Sequence, residues 1–235
     1  LAKGAIDLGT MRRGGYNNAY TTDDATAYFF AFAPDRWEWA LEVEADRMRN
    51  TVFDAAEFEA ERAVVLEELA MGLDEPWELL FQECAPLLWH TNGYRHPIIG
   101  WREDIETVTV DQVRNYYEAR YRPDNAILVV AGPLEASAVL EKARTLFGGI
   151  IHAPGAVDHT QPVDPMPRGA RRSEVRGPWN VARLLLAFRT VPVQDPRHLP
   201  LELAAEALGG GRRGRLHRAL IDEAGLASQV TVTPE

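Results

Sequence analysis

The chain has 235 residues, 46% of them hydrophobic, enough for one large domain or two smaller ones with a packed core. Its 35 acidic and 25 basic residues leave a net charge of −10, which argues against nucleic acid or an anionic membrane surface as a partner. Cys84 is the single cysteine, so an intrachain disulfide and a thiolate metal cluster are excluded; no apolar run approaches the roughly 20 residues of a membrane span, and the compartment stays open.

Residues 1–13 read as a helix with Ile6, Leu8 and Met11 as its apolar positions, stopped by Gly14 and Gly15. Tyr16 to Thr22 and the aromatic run Ala25 to Ala33 then form a hairpin turning at Asp23 and Asp24. Asp35 is placed to cap a helix that buries Trp39, Leu41, Val43 and Met48. After an acidic stretch at 57–74, Pro76 opens a helix reaching about Trp89, and residues 90–101 form a loop. His90 and His96 in that loop match neither a helical i,i+4 pair nor a recognised zinc spacing, so they read as structural. Thr109 and Gln112 form a capping box ahead of the helix DQVRNYYEARY. Asn125 to Ala131 is a wholly apolar central strand, and 135–147 is a helix ended by Gly148 and Gly149.

From about 151 to 169 the composition shifts to a linker containing Pro154, Pro162, Pro165 and Pro167. His152 and His159 lie in it, and a mobile segment does not preorganise a metal site. Beyond it, Val181 to Phe188 reads as a strand, 197–208 as a helix, Gly209 to Gly211 as a turn, 212–223 as a helix and Ala227 to Thr233 as a strand. Residues 213–233 repeat the order of 2–22, helix, glycine, strand, with Thr231 opposite Thr21. The expected organisation is a first unit at 1–150, a connector and lead-in at 151–177, and the beginning of a second unit at 178–235. The strand and helix that precede the shared element in the second unit have no counterpart in the first. With Leu1 in place of an initiator Met, the chain is expected to be a piece of something longer.

The stretch EFEAERAVVLEELAMGLD (57–74) carries the chemistry. Glu61 and Glu68 lie two helical turns apart, about 10.5 Å of rise, so both project from one face. The apolar run Ala63, Val64, Val65, Leu66 between them predicts a largely buried helix with desolvated glutamates, which must be paired, protonated or metal-bound. A solvated acidic stripe is the other reading of the same spacing.

Several segments together resemble the M16 metallopeptidases, the family of pitrilysin, insulysin and mitochondrial processing peptidase. They are GGYNNAYTTDDATAY (14–28), ADRM (45–48), ERAVVLEE (61–68), PIIGWREDIETVT (97–109), YYEARYRPDNAILVVAG (116–132) and LGGGRRGRLHRALIDEAGLASQV (208–230). The resemblance implies an α+β, two-layer half-domain: a mixed, mostly antiparallel sheet covered by helices, followed by the start of a second similar repeat. Such half-domains pair within one chain or between chains, as homo- or heterodimers. It also implies zinc-dependent endopeptidase activity on peptides or unfolded polypeptides, with one Zn2+ per complete site.

Carried over residue by residue, Glu68 matches the distal glutamate ligand of the zinc, and Glu61 the glutamate that supports the site without binding metal. Zinc hydrolases use three protein ligands and leave a fourth position to water. The family takes two histidine ligands and its general base from an H-x-x-E-H motif, which these 235 residues lack. The resemblance puts that motif on a helix preceding Leu1. A noncatalytic M16-like subunit that binds peptide or scaffolds an active partner is the alternative. Asn18, Ala19 and Tyr20 resemble the sheet edge that receives substrate through main-chain hydrogen bonds, although Asn17 and Asn18 also suit a turn. Gly209 to Gly211 resembles the family's glycine-rich loop, or serves only to stop a helix.

Overall fold

In the computed structural model, which describes residues 3–151, 155 and 157–234, helix α1 (Ala5–Arg12) ends at a glycine pair with two separate tasks. Gly14 takes φ +66°, a left-handed conformation that side chains resist, and its N–H donates to the Met11 carbonyl at 2.9 Å. Gly15 lies against the Phe32 ring, where a Cβ would stand 2.1 Å from the nearest ring atom. The turn delivers the chain into an antiparallel hairpin, β1 (Tyr16–Thr21) and β2 (Thr26–Ala31), in register from Tyr16 opposite Ala31 to Thr21 opposite Thr26. Thr22 closes the tip by donating its N–H to the Ala25 carbonyl at 2.8 Å, with Asp23 and Asp24 between them as expected.

The inward side of α1 differs from the expectation. Leu8 and Met11 are exposed, and the buried residue is Thr10. Its hydroxyl is satisfied within the helix, donating to the Ile6 carbonyl at 2.8 Å, so burial leaves no unpaired polar group.

Helices α2 (Trp37–Asn50), α3 (Ala55–Asp74), α4 (Pro76–Leu88), α5 (Arg102–Thr107), α6 (Val110–Arg120) and α7 (Ala136–Phe147) build the rest of a compact unit, Leu1–Leu185. Its buried apolar residues are Leu41, Val43 and Ala45 of α2, Leu69 of α3 and Ile105 of α5. Asp35 does not cap α2; Arg36 occupies that position, and the Asp35 carboxylate lies 3.5 Å from the Arg36 guanidinium. The capping box of α6 forms as read, with Gln112 N–H donating to Thr109 Oγ1 at 3.3 Å and Thr109 N–H donating to Gln112 Oε1 at 2.8 Å.

The fold is α+β: helices with an antiparallel sheet. Among the described residues that sheet has two hydrogen-bonded strands, β1 and β2. The runs at 125–131, 181–188 and 227–233 do not join it. Ala126 is extended, at φ −129° and ψ 148°, and Ile127 and Leu184 stand in solvent. An apolar, β-branched run sets an extended preference, whereas a ladder needs a neighbour at hydrogen-bonding distance.

The proline-rich segment and the residues just past it are hydrogen-bonded to helices of the first unit. Arg120 donates to the Asp158 carbonyl at 3.2 Å, Arg171 to the Leu87 carbonyl at 2.5 Å, and Ser173 Oγ to Glu83 Oε2 at 3.2 Å. The linker reading at His152 and Pro154 lies outside the described residues.

The second unit, Leu186–Glu235, contains α8 (His198–Gly209) and α9 (Arg215–His217), which continues as a π-helical turn through Arg218–Glu223. Gly225 follows at φ +61°, and residues 226–234 after it form neither helix nor strand. Helix then left-handed glycine is the order of α1 and Gly14, but the strand that follows there, β1, has no counterpart at 227–233 among the described residues.

Candidate functional site

Asp54 starts α3 by accepting the N–H groups of Ala56 at 2.9 Å and Glu57 at 3.0 Å. The inward stripe of α3 is Phe58, Arg62, Val65, Leu69 and Gly72, at helical spacing, with only Leu69 fully buried. The predicted burial of Ala63 through Leu66 fails for a geometric reason. Consecutive helical residues advance about 100° each, so four in a row wrap most of the circumference and cannot share a face. Ala63 and Val64 are exposed, while Val65 and Leu66 are half-buried.

Glu61 and Glu68 lie together on one flank of that stripe, and both are exposed, so the expected desolvation does not occur. Lys3 reaches across from the chain ahead of α1, its ammonium 2.9 Å from Glu61 Oε1 and 2.6 Å from Glu57 Oε2. These hydrogen bonds, Glu57 first, push the Lys3 ammonium further above its ordinary pKa. Glu68, in contrast, has no hydrogen bond or ion pair among the described residues.

On the other flank, Arg62 holds the helix in place. Its guanidinium donates to the carbonyls of Ile105 at 2.5 Å, Glu106 at 2.8 Å and Val108 at 2.6 Å, all at the C-terminal end of α5. Neither Lys3 nor Arg62 is singled out by spacing, because each acts on groups more than forty residues away in sequence.

Whether these residues fit a zinc ion follows from the donor set. No group of three His, Cys, Asp or Glu side chains comes together among the described residues. The histidines are engaged singly: His96 Nδ1 accepts from Trp101 Nε1 at 2.9 Å, and His198 Nε2 lies 3.2 Å from Glu202. Glu61 is occupied by Lys3. Glu68 therefore fits the part of a single carboxylate ligand, and a complete three-ligand centre is not assembled by the described residues.

The hairpin presents the second candidate element. Hydrogen bonding alternates along an antiparallel pair, and Thr22 with Ala25 sets the phase. Tyr16, Asn18 and Tyr20 therefore bond to β2, while Asn17, Ala19 and Thr21 direct N–H and C=O groups to the outer edge, unpaired by any strand among the described residues. Asn18 Oδ1 accepts the Ala19 N–H at 2.8 Å and so covers one outward donor. Asn18, Ala19 and Tyr20 are all exposed.

The rest of the hairpin is anchored. Tyr94 Oη donates to Asp24 Oδ1 at 2.8 Å, and Tyr28 Oη lies 2.9 Å from Tyr121 Oη. Arg47 stacks 4.2 Å from the Tyr28 ring centre. Burial, aided by the bond with Tyr28, pushes the Tyr121 hydroxyl up to about 12, and the bond with Asp24 raises that of Tyr94.

Two family models match the chain. Residues 3–100 match the model described as Insulinase (Peptidase family M16), and residues 107–234 match Peptidase M16 inactive domain. An uncharacterized zinc protease of Streptomyces coelicolor is 27% identical over 225 residues, covering 92% of this chain and 48% of that protein. The zinc protease PqqE of Helicobacter pylori is 27% identical over 232 residues, covering 97% of this chain and 52% of that protein. The chain spans about half the length of the curated relatives it matches. Among solved structures, a protease from Helicobacter pylori superimposes with a TM-score of 0.81 at 25% identity, over 97% of this chain and 56% of that one. A peptidase M16 inactive domain from Pseudomonas fluorescens gives a TM-score of 0.73 at 20% identity, over 94% and 53%, and speaks for the fold alone.

Proposed function

Since the chain belongs to peptidase family M16, we propose that the whole protein is a zinc-dependent endopeptidase acting on peptides or unfolded polypeptides. Glu68 is one protein ligand of the metal, and Glu61 supports the site without binding it. The observation that carries this assignment is the contrast on one flank of α3. Glu61 is engaged by Lys3, while Glu68 carries no partner among the described residues. Relatives named zinc proteases support the choice of metal.

A zinc ion held there would polarise the scissile carbonyl and lower the pKa of a water molecule toward neutrality. The outer edge of β1 along Asn18, Ala19 and Tyr20, where the main-chain groups of Ala19 face outward, takes the substrate as an added strand, which gives affinity with little dependence on side-chain identity. The Asn18 amide swings off the Ala19 N–H as the substrate carbonyl arrives. The two histidines and the general base of the H-x-x-E-H motif are absent from these 235 residues, so this chain alone is inactive.

Residues 1–150 form most of a first half-domain, 151–177 the connector and lead-in, and 178–235 the start of a second. The half-domain completing the enzyme comes from the same or another chain. A noncatalytic M16-like subunit is the second reading, favoured by the inactive-domain model over residues 107–234. In the full-length protein, Glu68→Gln loses zinc and peptide hydrolysis while the circular dichroism spectrum is unchanged. Unchanged metal content would refute the ligand assignment, and a full-length sequence without H-x-x-E-H would decide for the second reading.

A further inference from the structure

A guanidinium that serves one helix as a cap can orient another, and Arg62 is placed to do this. Its side chain is only 15% exposed although it carries a charge, so its five N–H donors must be satisfied internally. Nη1 donates to the carbonyls of Ile105 and Glu106, at 2.5 and 2.8 Å, and Nη2 to that of Val108 at 2.6 Å. These are carbonyls at the end of α5 and just past it, where a helix leaves its acceptors unpaired and favours a cation. Nε and Nη2 donate to Glu59 at 3.0 and 3.2 Å, and the guanidinium carbon stands 4.8 Å from the centre of the Phe58 ring.

We propose that Arg62 is a positioning residue of the metal site: by gripping the end of α5, it sets the rotation of α3 about its own axis and thereby the direction of Glu68. Arg62 follows Glu61 directly, so the two point about 100° apart around the helix. With Arg62 held against α5, Glu61 and Glu68 are turned to the opposite flank. The apolar residues of the inward stripe, buried Leu69 with half-buried Phe58 and Val65, pack without directional bonds and fix the rotation of the helix less tightly than the fork does. The planar fork satisfies several carbonyls at once, which a lysine ammonium cannot reproduce in the same geometry.

This inference rests on the assignment of Glu68 as a zinc ligand, and the test separates the two. Zinc affinity is measured on the full-length protein by competition with a chromogenic chelator, alongside circular dichroism and thermal unfolding. For Arg62→Ala we expect zinc binding at least about tenfold weaker with helical content unchanged, and for Arg62→Lys an intermediate value. A merely structural role would lower the unfolding temperature and leave the affinity of the folded protein where it was. Wild-type affinity in folded Arg62→Ala overturns the inference and leaves the zinc assignment standing. Should the alanine variant fail to fold, Arg62→Lys decides, and wild-type affinity there overturns it too. A wild-type protein without zinc, or a Glu68→Gln variant that retains it, overturns both.

Discussion

The Asp164 carboxylate takes both the backbone N–H of Thr91, at 2.9 Å, and its hydroxyl, at 2.5 Å. The same carboxylate accepts the N–H groups of His90 at 2.7 Å and Asn92 at 3.3 Å, so three successive amides past the end of α4 wrap one anion. Gln161 Oε1 adds the Gly93 N–H at 3.3 Å. The proline-rich segment is thereby pinned to the loop at 90–93.

These hydrogen bonds, that of the Thr91 hydroxyl foremost, hold the Asp164 carboxyl far below the usual carboxylate range. A carboxyl depressed in the folded state stabilises it above the unfolded pKa, and that contribution is lost as pH falls through the folded value. Part of the stability of the first unit should therefore disappear below about pH 4. Asp164→Asn should lower the urea midpoint at pH 7 and remove that share of the acid dependence. It should also speed protease cleavage within 157–176. Parallel pH profiles for wild type and variant would contradict the assignment.

Leu69 is 4% exposed and Val64 is 47% exposed, although both lie in the same apolar-looking stretch. Leu69→Ala should cost about 2–4 kcal/mol through the cavity it leaves. Val64→Ala should stay within about 0.5 kcal/mol. Chemical denaturation of the two variants checks the rotation of α3 directly, because a helix turned far enough to bring Val64 inward would carry Leu69 outward and reverse the order of their costs.

The phase of the hairpin makes Ala19 an outward-facing position, and proline is tolerated where an edge N–H faces away from the ladder. Ala19→Pro should keep the hairpin and weaken binding of an unstructured, fluorescent peptide to the full-length Glu68→Gln protein by about tenfold or more, the worth of one or more main-chain bonds. Anisotropy titration measures it. Unchanged peptide affinity would remove this edge from the substrate site.

Local rules carried several elements of the fold. Thr109 and Gln112 cap α6, Asp23 and Asp24 turn the hairpin, and Pro76 begins α4, because each depends on bonds spanning at most four residues. The pair Glu61 and Glu68 was legible for the same reason: helical spacing alone puts both on one flank. Spacing did not say which flank was dry, or that Lys3 would occupy one glutamate and leave the other open. Tertiary contacts settled that. Arg62 meets Ile105 across 43 residues of chain, and Asp164 meets Thr91 across 73. Such partners come within reach only when helices pack, since the few kilocalories of a hydrogen bond cannot by themselves offset the entropy of closing so long a loop. A helix face is therefore written in the sequence, while its rotation against its neighbours is decided by what those neighbours offer its buried charges.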